Sequence, residues 1–279
     1  MLFFTSIPGT IVNPDETVCE GRSLLNKAQC RANALTKMDV GQAERVVISH
    51  GGTDEFFADL YAVWRVGACA VCVNEAISDF EFGNIVEFTQ PKLILVGKLG
   101  DRSSLGAPME CFYDEIAEVF DRKNSHVGIR HLDDPALILF TSGTTGTPKG
   151  VVHSFRSILA RLAINRDRIE SQTLRKTLCM LPTHFGHGLI GNCLTSLYCG
   201  GDLILHPLGD VSAFSKVGPK IDAFGVTFLS SVPSMWRIIL KMSPDLKRKT
   251  LEQVNIGSAP LSVDLWHQII AWTGTRNVV

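Results

Sequence analysis

Residues 44–74 read ERVVISHGGTDEFFADLYAVWRVGACAVCVN. The first seven, Glu44 to His50, form an apolar run of strand length. Residues 53–66 then place Phe56, Phe57, Leu60, Val63 and Trp64 on one helical face, with Thr53 in position to cap the helix. The closing GACAVCVN is a second strand-like run. Working outward, residues 78–89 open on a capping-box pattern, Ser78 with Glu81, and set Phe82, Ile85, Val86 and Phe88 at mostly helical spacing. KLILVG at 92–97 is a third strand. Strands separated by helix-length segments predict βαβ units and a largely parallel sheet.

Residues 98–108 are loop-like, and after about residue 134 the alternation resumes. ALILF (136–140), TLCML (177–181), DLILH (202–206), VTFLS (226–230) and QVNIG (253–257) have the composition of strands. Ser154 is placed to cap a helix carrying Phe155, Ile158, Leu159, Leu162 and Ala163, and Pro233 stands near the first turn of another that runs to Met242.

The chain has 279 residues, 45% hydrophobic and 20% charged, with a formal net charge of -1. That composition suits a globular α/β protein and gives no electrostatic footing for nucleic acid. No run approaches the roughly 18 apolar residues of a membrane span. MLFFTSIPGT lacks the basic start and unbroken apolar core of a signal peptide, so a cytoplasmic setting is expected. Cys69 and Cys72 form one C-x-x-C inside an apolar run. With no second pair and no nearby His, they read as small buried hydrophobes rather than metal ligands.

Between ALILF and Ser154 lies the most unusual segment of the chain, TSGTTGTPKG at Thr141–Gly150. Thr141, Ser142, Thr144, Thr145 and Thr147 supply hydroxyls, while Gly143, Gly146 and Gly150 allow tight turns that present backbone N–H groups. Such a run directly after a buried strand is suited to an anion, and Lys149 adds the segment's one full positive charge. It is not the Walker P-loop, because Pro148 separates Thr147 from Lys149, and it is not the G-x-G-x-x-G of a dinucleotide fold. A flexible Thr/Gly surface loop is the plain alternative.

These ten residues resemble the phosphate-loop signature of the adenylate-forming enzymes: acyl-CoA synthetases, luciferases and the adenylation domains of peptide synthetases. Further segments resemble that family in the expected order: residues 44–74, LPTHFGHGL in its substrate-pocket segment, VTFLSSVPSMWRIIL, and NIGSAPLS in its adenine segment. The resemblance implies an α/β fold, part of the large N-terminal domain, with two parallel-rich sheets sandwiched by helices. Subdomains are expected at 1–133 and 134–279, with the Thr/Gly loop leaving a strand of the second. It also implies a reaction: ATP and a small carboxylic acid form an acyl-adenylate and pyrophosphate, and the acyl group passes to a thiol, commonly coenzyme A. Thr141, Ser142, Gly143, Thr144, Thr145, Gly146 and Lys149 are implied to hold the ATP phosphates, with Lys149 catalytic and Thr145 helping to order Mg2+. Gly257, Ser258, Ala259 and Pro260 are implied to wrap the adenine. His184, Phe185, His187, Gly188 and Ser231 are implied in the substrate pocket, where either histidine can face the carboxylate. Leu189, Ile190, Val232 and Met235 make its wall apolar. No Asp occurs in THFGHGLIGN, which disfavours an amino acid substrate.

The family's tyrosine-glycine-x-threonine-glutamate motif, ribose-binding aspartate, hinge and lid lysine do not occur within these 279 residues. The chain alone is therefore expected to be inactive and to self-associate or take the missing C-terminal portion as partner. The competing expectation is a non-catalytic nucleotide-binding or partner-binding fragment, or half of a split ligase.

Overall fold

The computed structural model describes residues 7–97, 108–110, 131–141 and 149–279. They divide into two compact units, the first built mainly from residues 20–161 with Thr183–Phe185, the second from Pro8–Cys19, Leu162–Pro182 and Gly186–Val279. The chain opens with two short strands of the second unit, β1 (Thr10–Val12) and β2 (Val18–Glu20), before α1 (Gly21–Lys37) starts the first.

The first unit continues through β3 (Arg45–Ser49), α2 (Asp54–Val66), β4 (Cys69–Cys72), α3 (Asp79–Thr89), β5 (Leu93–Val96), β6 (Met109–Glu110), β7 (Pro135–Thr141) and β8 (Lys149–Ser154). Its sheet has the order β6-β5-β3-β4-β7-β8, parallel except for the antiparallel β7–β8 pair. Val47, Val71 and Ile94 pack with Phe82 and Ile85 of α3. The alternate residues Val46, Ile48, Ala70 and Cys72, which pleating turns to the other face, are buried as well. A sheet covered on both faces explains why these strands read as continuous apolar runs. Trp64 of α2 is fully buried and donates its indole N–H to Ala136 O at 2.7 Å.

The Ser78 capping box is present, with Ser78 Oγ accepting from Glu81 N at 3.2 Å. Thr53 occupies the N-cap of α2 but makes no capping bond; the helix start carries Asp54 and Glu55 instead, the charge its dipole favours. These carboxylates bind α1: Lys27 Nζ lies 2.6 Å from both Asp54 and Glu55, and the buried Arg31 bonds Glu55 and Asp59.

The division expected at 133/134 does not match the pairing. β7 joins β4, with Leu137, Ile138 and Leu139 opposite Ala70, Val71 and Cys72, so the strand before the Thr/Gly loop belongs to the first sheet and not the second. The chain passes to the second unit after Arg161, inside α4 (Phe155–Arg168). Local apolar pattern marks a strand but does not specify its partner. Ser154 does accept from Ser157 N at 3.2 Å at the start of α4.

The second unit holds β9 (Lys176–Cys179), a π-helix over His187–Leu194, α5 (Thr195–Tyr198), β10 (Asp202–Leu205), α6 (Val217–Phe224), β11 (Phe228–Ser231), α7 (Pro233–Met242), β12 (Gln253–Ile256) and α8 (Val263–Thr273). Its sheet runs β12-β11-β9-β10-β1-β2, and the pairs from β12 through to β1 are parallel. Val217 and Ile221, Trp236 and Ile239, and Leu265 and Ile269 bring α6, α7 and α8 onto Leu178, Ile204, Leu229 and Val254. Trp236 and Trp272 meet edge to face at 5.7 Å. Val278 bridges to Val254 in parallel, so the residues after α8 pair alongside β12.

A groove of about 710 Å³ opens at the N-terminal ends of these strands, lined in part by Lys176, Arg248 and Lys249. Its cations are already committed. Lys176 Nζ donates to Phe224 O at 3.0 Å, Arg248 Nη1 to Asp222 O at 2.9 Å and Lys249 Nζ to Trp272 O at 3.1 Å. They satisfy the last carbonyls of α6 and α8, a stabilising use of charge at helix C-termini.

Candidate functional site

The candidate site residues Ser231, Gly257 and Ser258 lie at the opposite, C-terminal ends of the strands, where open parallel sheets place their ligands. β11 and β12 pair with Ser230 opposite Asn255 and Ser231 opposite Ile256. That register brings the end of β11 beside Gly257 and Ser258, and Gly257 N donates to Ser231 O at 3.0 Å. Ser258 has a left-handed backbone, φ 67°, a conformation uncommon for a residue other than glycine. Ser258, Ala259 and Pro260 are exposed.

His187, the first residue of the π-helix, reaches this corner. Its Nε2 lies 2.7 Å from Ser230 Oγ and its Nδ1 3.2 Å from Ser258 Oγ. The ring is thus oriented by one hydroxyl on β11 and one on the segment after β12. A Cβ on Gly257 would stand 3.4 Å from His187 Cε1, so a side chain there would crowd the ring. Gly188 is more constrained: a Cβ would meet Pro182 O at 2.4 Å and Leu181 Cβ at 2.9 Å. The wide helix is closed by Thr195 Oγ1, which donates to Ile190 O five residues back at 2.8 Å. Single stretches of π-helix often occur at functional sites. Asn192, fully buried in the same helix, donates to Ser230 O at 3.1 Å, while its Oδ1 has no hydrogen-bond partner among the described residues.

Ser231 is fully buried, its Oγ without a hydrogen-bond partner among the described residues. Ser230 is the hydroxyl that meets the imidazole. Sequence reasoning missed Ser230 and Asn192. The alternation of strand residues could have flagged that only one of the adjacent serines faces each side, but not which. His184 lies in the first unit with Phe185, their ring centroids 4.6 Å apart. Burial holds the His184 pKa below the ordinary imidazole value.

Of the phosphate-loop residues, Thr141 and Lys149 are described. They are paired as the last residue of β7 and the first of β8, with Thr141 Oγ1 3.4 Å from Lys149 O, and both are exposed. Ser142, Gly143, Thr144, Thr145 and Gly146 lie outside the described residues. Among the described residues no group of three or more His, Cys, Asp or Glu side chains is placed to hold a metal, and no helix is long and apolar enough to cross a membrane. Cys69 and Cys72 are both buried in β4, and burial pushes the Cys69 thiol up to about 12.

A family model described as AMP-binding enzyme matches residues 15–279. The chain belongs to the AMP-binding enzyme family. It is similar to the malonate–CoA ligase of Arabidopsis thaliana, 27% identical over 253 residues that cover 80% of this chain and 42% of the relative. Its fold matches o-succinylbenzoate CoA synthetase from Bacillus subtilis in complex with the acyl-adenylate intermediate, with a TM-score of 0.81 at 20% identity, over 94% of this chain and 53% of that one. It likewise matches ATP-bound MatB from Rhodopseudomonas palustris, with a TM-score of 0.80 at 24% identity, over 99% of this chain and 58% of that one. The chain thus spans about half the length of these AMP-binding relatives.

Proposed function

We propose that this chain is the nucleotide-binding and acid-binding part of an ATP-dependent ligase that activates a carboxylic acid as its acyl-adenylate and passes the acyl group to a thiol, coenzyme A. The observation that carries this reading is His187 held between Ser230 and Ser258 at the strand ends, in a chain that also bears TSGTTGTPKG. The similar proteins support it, since their names include a CoA ligase and an acyl-adenylate complex.

The residues divide the work. In adenylation a carboxylate oxygen attacks the α-phosphorus of ATP and the bond to the leaving pyrophosphate breaks. The negative charge that grows on that leaving group is met by Lys149 and by the hydroxyl and amide donors of Thr141 to Gly146. Preorganised donors of this kind act most strongly on charge that appears in the transition state. Gly257, Ser258, Ala259 and Pro260 border the adenine. His187, fixed by its two serines, orients the carboxylate, and the serine contacts limit which way the ring can turn. Leu189 and Ile190 are buried in the π-helix, and no Asp stands near His187 in sequence, which favours an acid with an uncharged tail over an amino acid. Mg2+ is assigned to Thr145 alone.

The test is acid-dependent ATP–pyrophosphate exchange by the complete ligase that carries these residues, run with malonate, o-succinylbenzoate and simple aryl and alkyl carboxylates. Exchange that needs one of these acids and falls by about 10²-fold or more in Lys149→Ala supports the reading. A complete ligase that shows no acid-dependent exchange overturns it.

A further inference from the structure

In the first unit, a buried cluster of polar and ionic side chains serves no part of the reaction above. Arg31 on α1 is 1% exposed and His50, directly after β3, is 4% exposed. Asp59 on α2 joins them: Arg31 Nη1 bonds Asp59 Oδ1 at 2.7 Å, and His50 Nε2 lies 2.7 Å from Asp59 Oδ2. Arg31 also donates to Glu55 O at 2.8 Å, and the His50 ring stands edge-on to Phe56 at 6.2 Å. The Arg31 and Asp59 charges are expensive to bury unless paired, and a buried polar network of this kind contributes more to a single geometry than to net stability.

What that geometry fixes is the next two residues. Gly51 and Gly52 follow His50 without a break, and Gly52 has φ 70°. Thr183 sits on this turn, with its Oγ1 accepting from Gly52 N at 3.3 Å. The approach is so close that a Cβ on Gly51 would lie 2.3 Å from Thr183 Oγ1. Thr183 is 4% exposed, and it begins the short segment Thr183–Phe185 that clusters with the first unit while its neighbours Pro182 and Gly186 belong to the second.

We propose that His50 is a positioning residue: held by Asp59 and Arg31, it fixes the Gly51–Gly52 turn that seats Thr183, and thereby sets where His184 and Phe185 are presented. The functional importance of that presentation rests on the ligase reading and on the family resemblance, which implies His184 and Phe185 in the substrate pocket. The physical coupling from His50 to His184 does not depend on it.

The experiment reads the coupling directly. The titration of the His184 imidazole is followed by NMR in the chain, its signal assigned with His184→Asn, in wild type, His50→Ala, Gly51→Ala, Thr183→Ala and the Gly51→Ala/Thr183→Ala double variant. In wild type His184 titrates below about 6.5, the ordinary imidazole value. Undocking the segment removes its burial, so His50→Ala and Gly51→Ala shift the midpoint upward toward that value. In the double variant the clashing hydroxyl is gone, the Thr183 Cβ stands 3.7 Å from the new methyl, and the midpoint returns most of the way to that of Thr183→Ala. The His206 imidazole, in the second unit, keeps its midpoint throughout and serves as the control. A purely structural role for His50 would lower the melting temperature and leave the His184 midpoint where it was; that result in a folded variant overturns the proposal. Should His50→Ala not fold, the Gly51 and Thr183 variants decide it, and a Gly51→Ala chain with an unmoved midpoint counts against it equally. A second measurement, acid-dependent pyrophosphate exchange, separates the two readings. Absent exchange in the complete wild-type ligase with a shifted His184 midpoint in the variants rejects the ligase reading and keeps the coupling.

Discussion

His184 and His187 are three residues apart and end in different chemistry. His184 belongs to a segment seated on the first unit, stacked beside Phe185, with burial lowering its pKa. His187 opens a π-helix of the second unit and is met on both ring nitrogens by serine hydroxyls. The same residue type, in the same short motif, is a half-buried ring beside an exposed Phe185 in one place and an oriented hydrogen-bonding group in the other. The difference comes from Gly186 to Gly188, where the chain changes unit and starts the wide helix that rotates His187 toward β11. Spacing from a glycine in the sequence cannot supply that rotation.

The largest expected effect therefore falls on the glycine that permits the turn. Gly188→Ala puts a methyl into the backbone oxygen of Pro182, which cannot move aside as a side-chain tip would. Overpacking of this sort should destabilise the second unit by about 3 kcal/mol, read from urea unfolding. A loss below about 1 kcal/mol would mean the π-helix can slide, and the contrast between the histidines would lose its structural cause.

Next comes the contrast itself. His187→Ala should lower acid-dependent pyrophosphate exchange by about 10²-fold, within the range of a positioned acid–base or hydrogen-bonding group, while His184→Ala should change it by less than about tenfold. Equal losses would show that both rings act on the acid. The reverse order would assign the carboxylate to His184.

How much of this was legible beforehand divides along the same line. α2, α3, β3, β4 and β5 follow from apolar periodicity and the Ser78–Glu81 box, because each is set by its own local sequence and by a sheet buried on both faces. The ten-residue TSGTTGTPKG carries the family on its own. Partners chosen across long separations are not written locally. β1 and β2 pair into the second sheet beside β10, nearly two hundred residues away, and β7 joins the first. Thr53 fell on the right side of the boundary of α2 without making the bond that would justify it. At the site, Ser231 was visible as a serine at a strand end. That Ser230 rather than Ser231 meets His187 follows from pleat direction and register against β12. Asn192 looked like one more polar residue in an apolar run, and only the fold shows it holding the Ser230 carbonyl.

That carbonyl gives a smaller test. Asn192→Ala removes the donor at 3.1 Å and leaves Ser230 O buried beside a small void. The expected loss is about 1–2 kcal/mol in urea unfolding, with weakened exchange because the Asn192 amide no longer ties the helix that carries His187 to β11. Unchanged stability and unchanged exchange together would separate Asn192 from the site.

The smallest effect is one of pH, and it belongs to His184. Its folded pKa lies below the ordinary value of 6.5 because burial disfavours the imidazolium. As pH falls through about 6.5 the unfolded chain takes up the proton first. Stability should therefore decline from about that pH down to the folded pKa and level off below it, the reverse of a histidine stabilised by a carboxylate. His153 and His206 are lowered by burial in the same direction and contribute to the same slope. The urea midpoint of wild type should accordingly drop as pH falls through about 6.5. In His184→Asn, which cannot take up that proton in either state, the drop should be shallower but not abolished, because the other two histidines remain. A His184→Asn slope identical to wild type would mean the ring is as accessible to protons in the fold as in the unfolded chain. The segment 183–185 would then not be seated as the Gly52–Thr183 contact implies, and the contrast with His187 would rest on the serines alone.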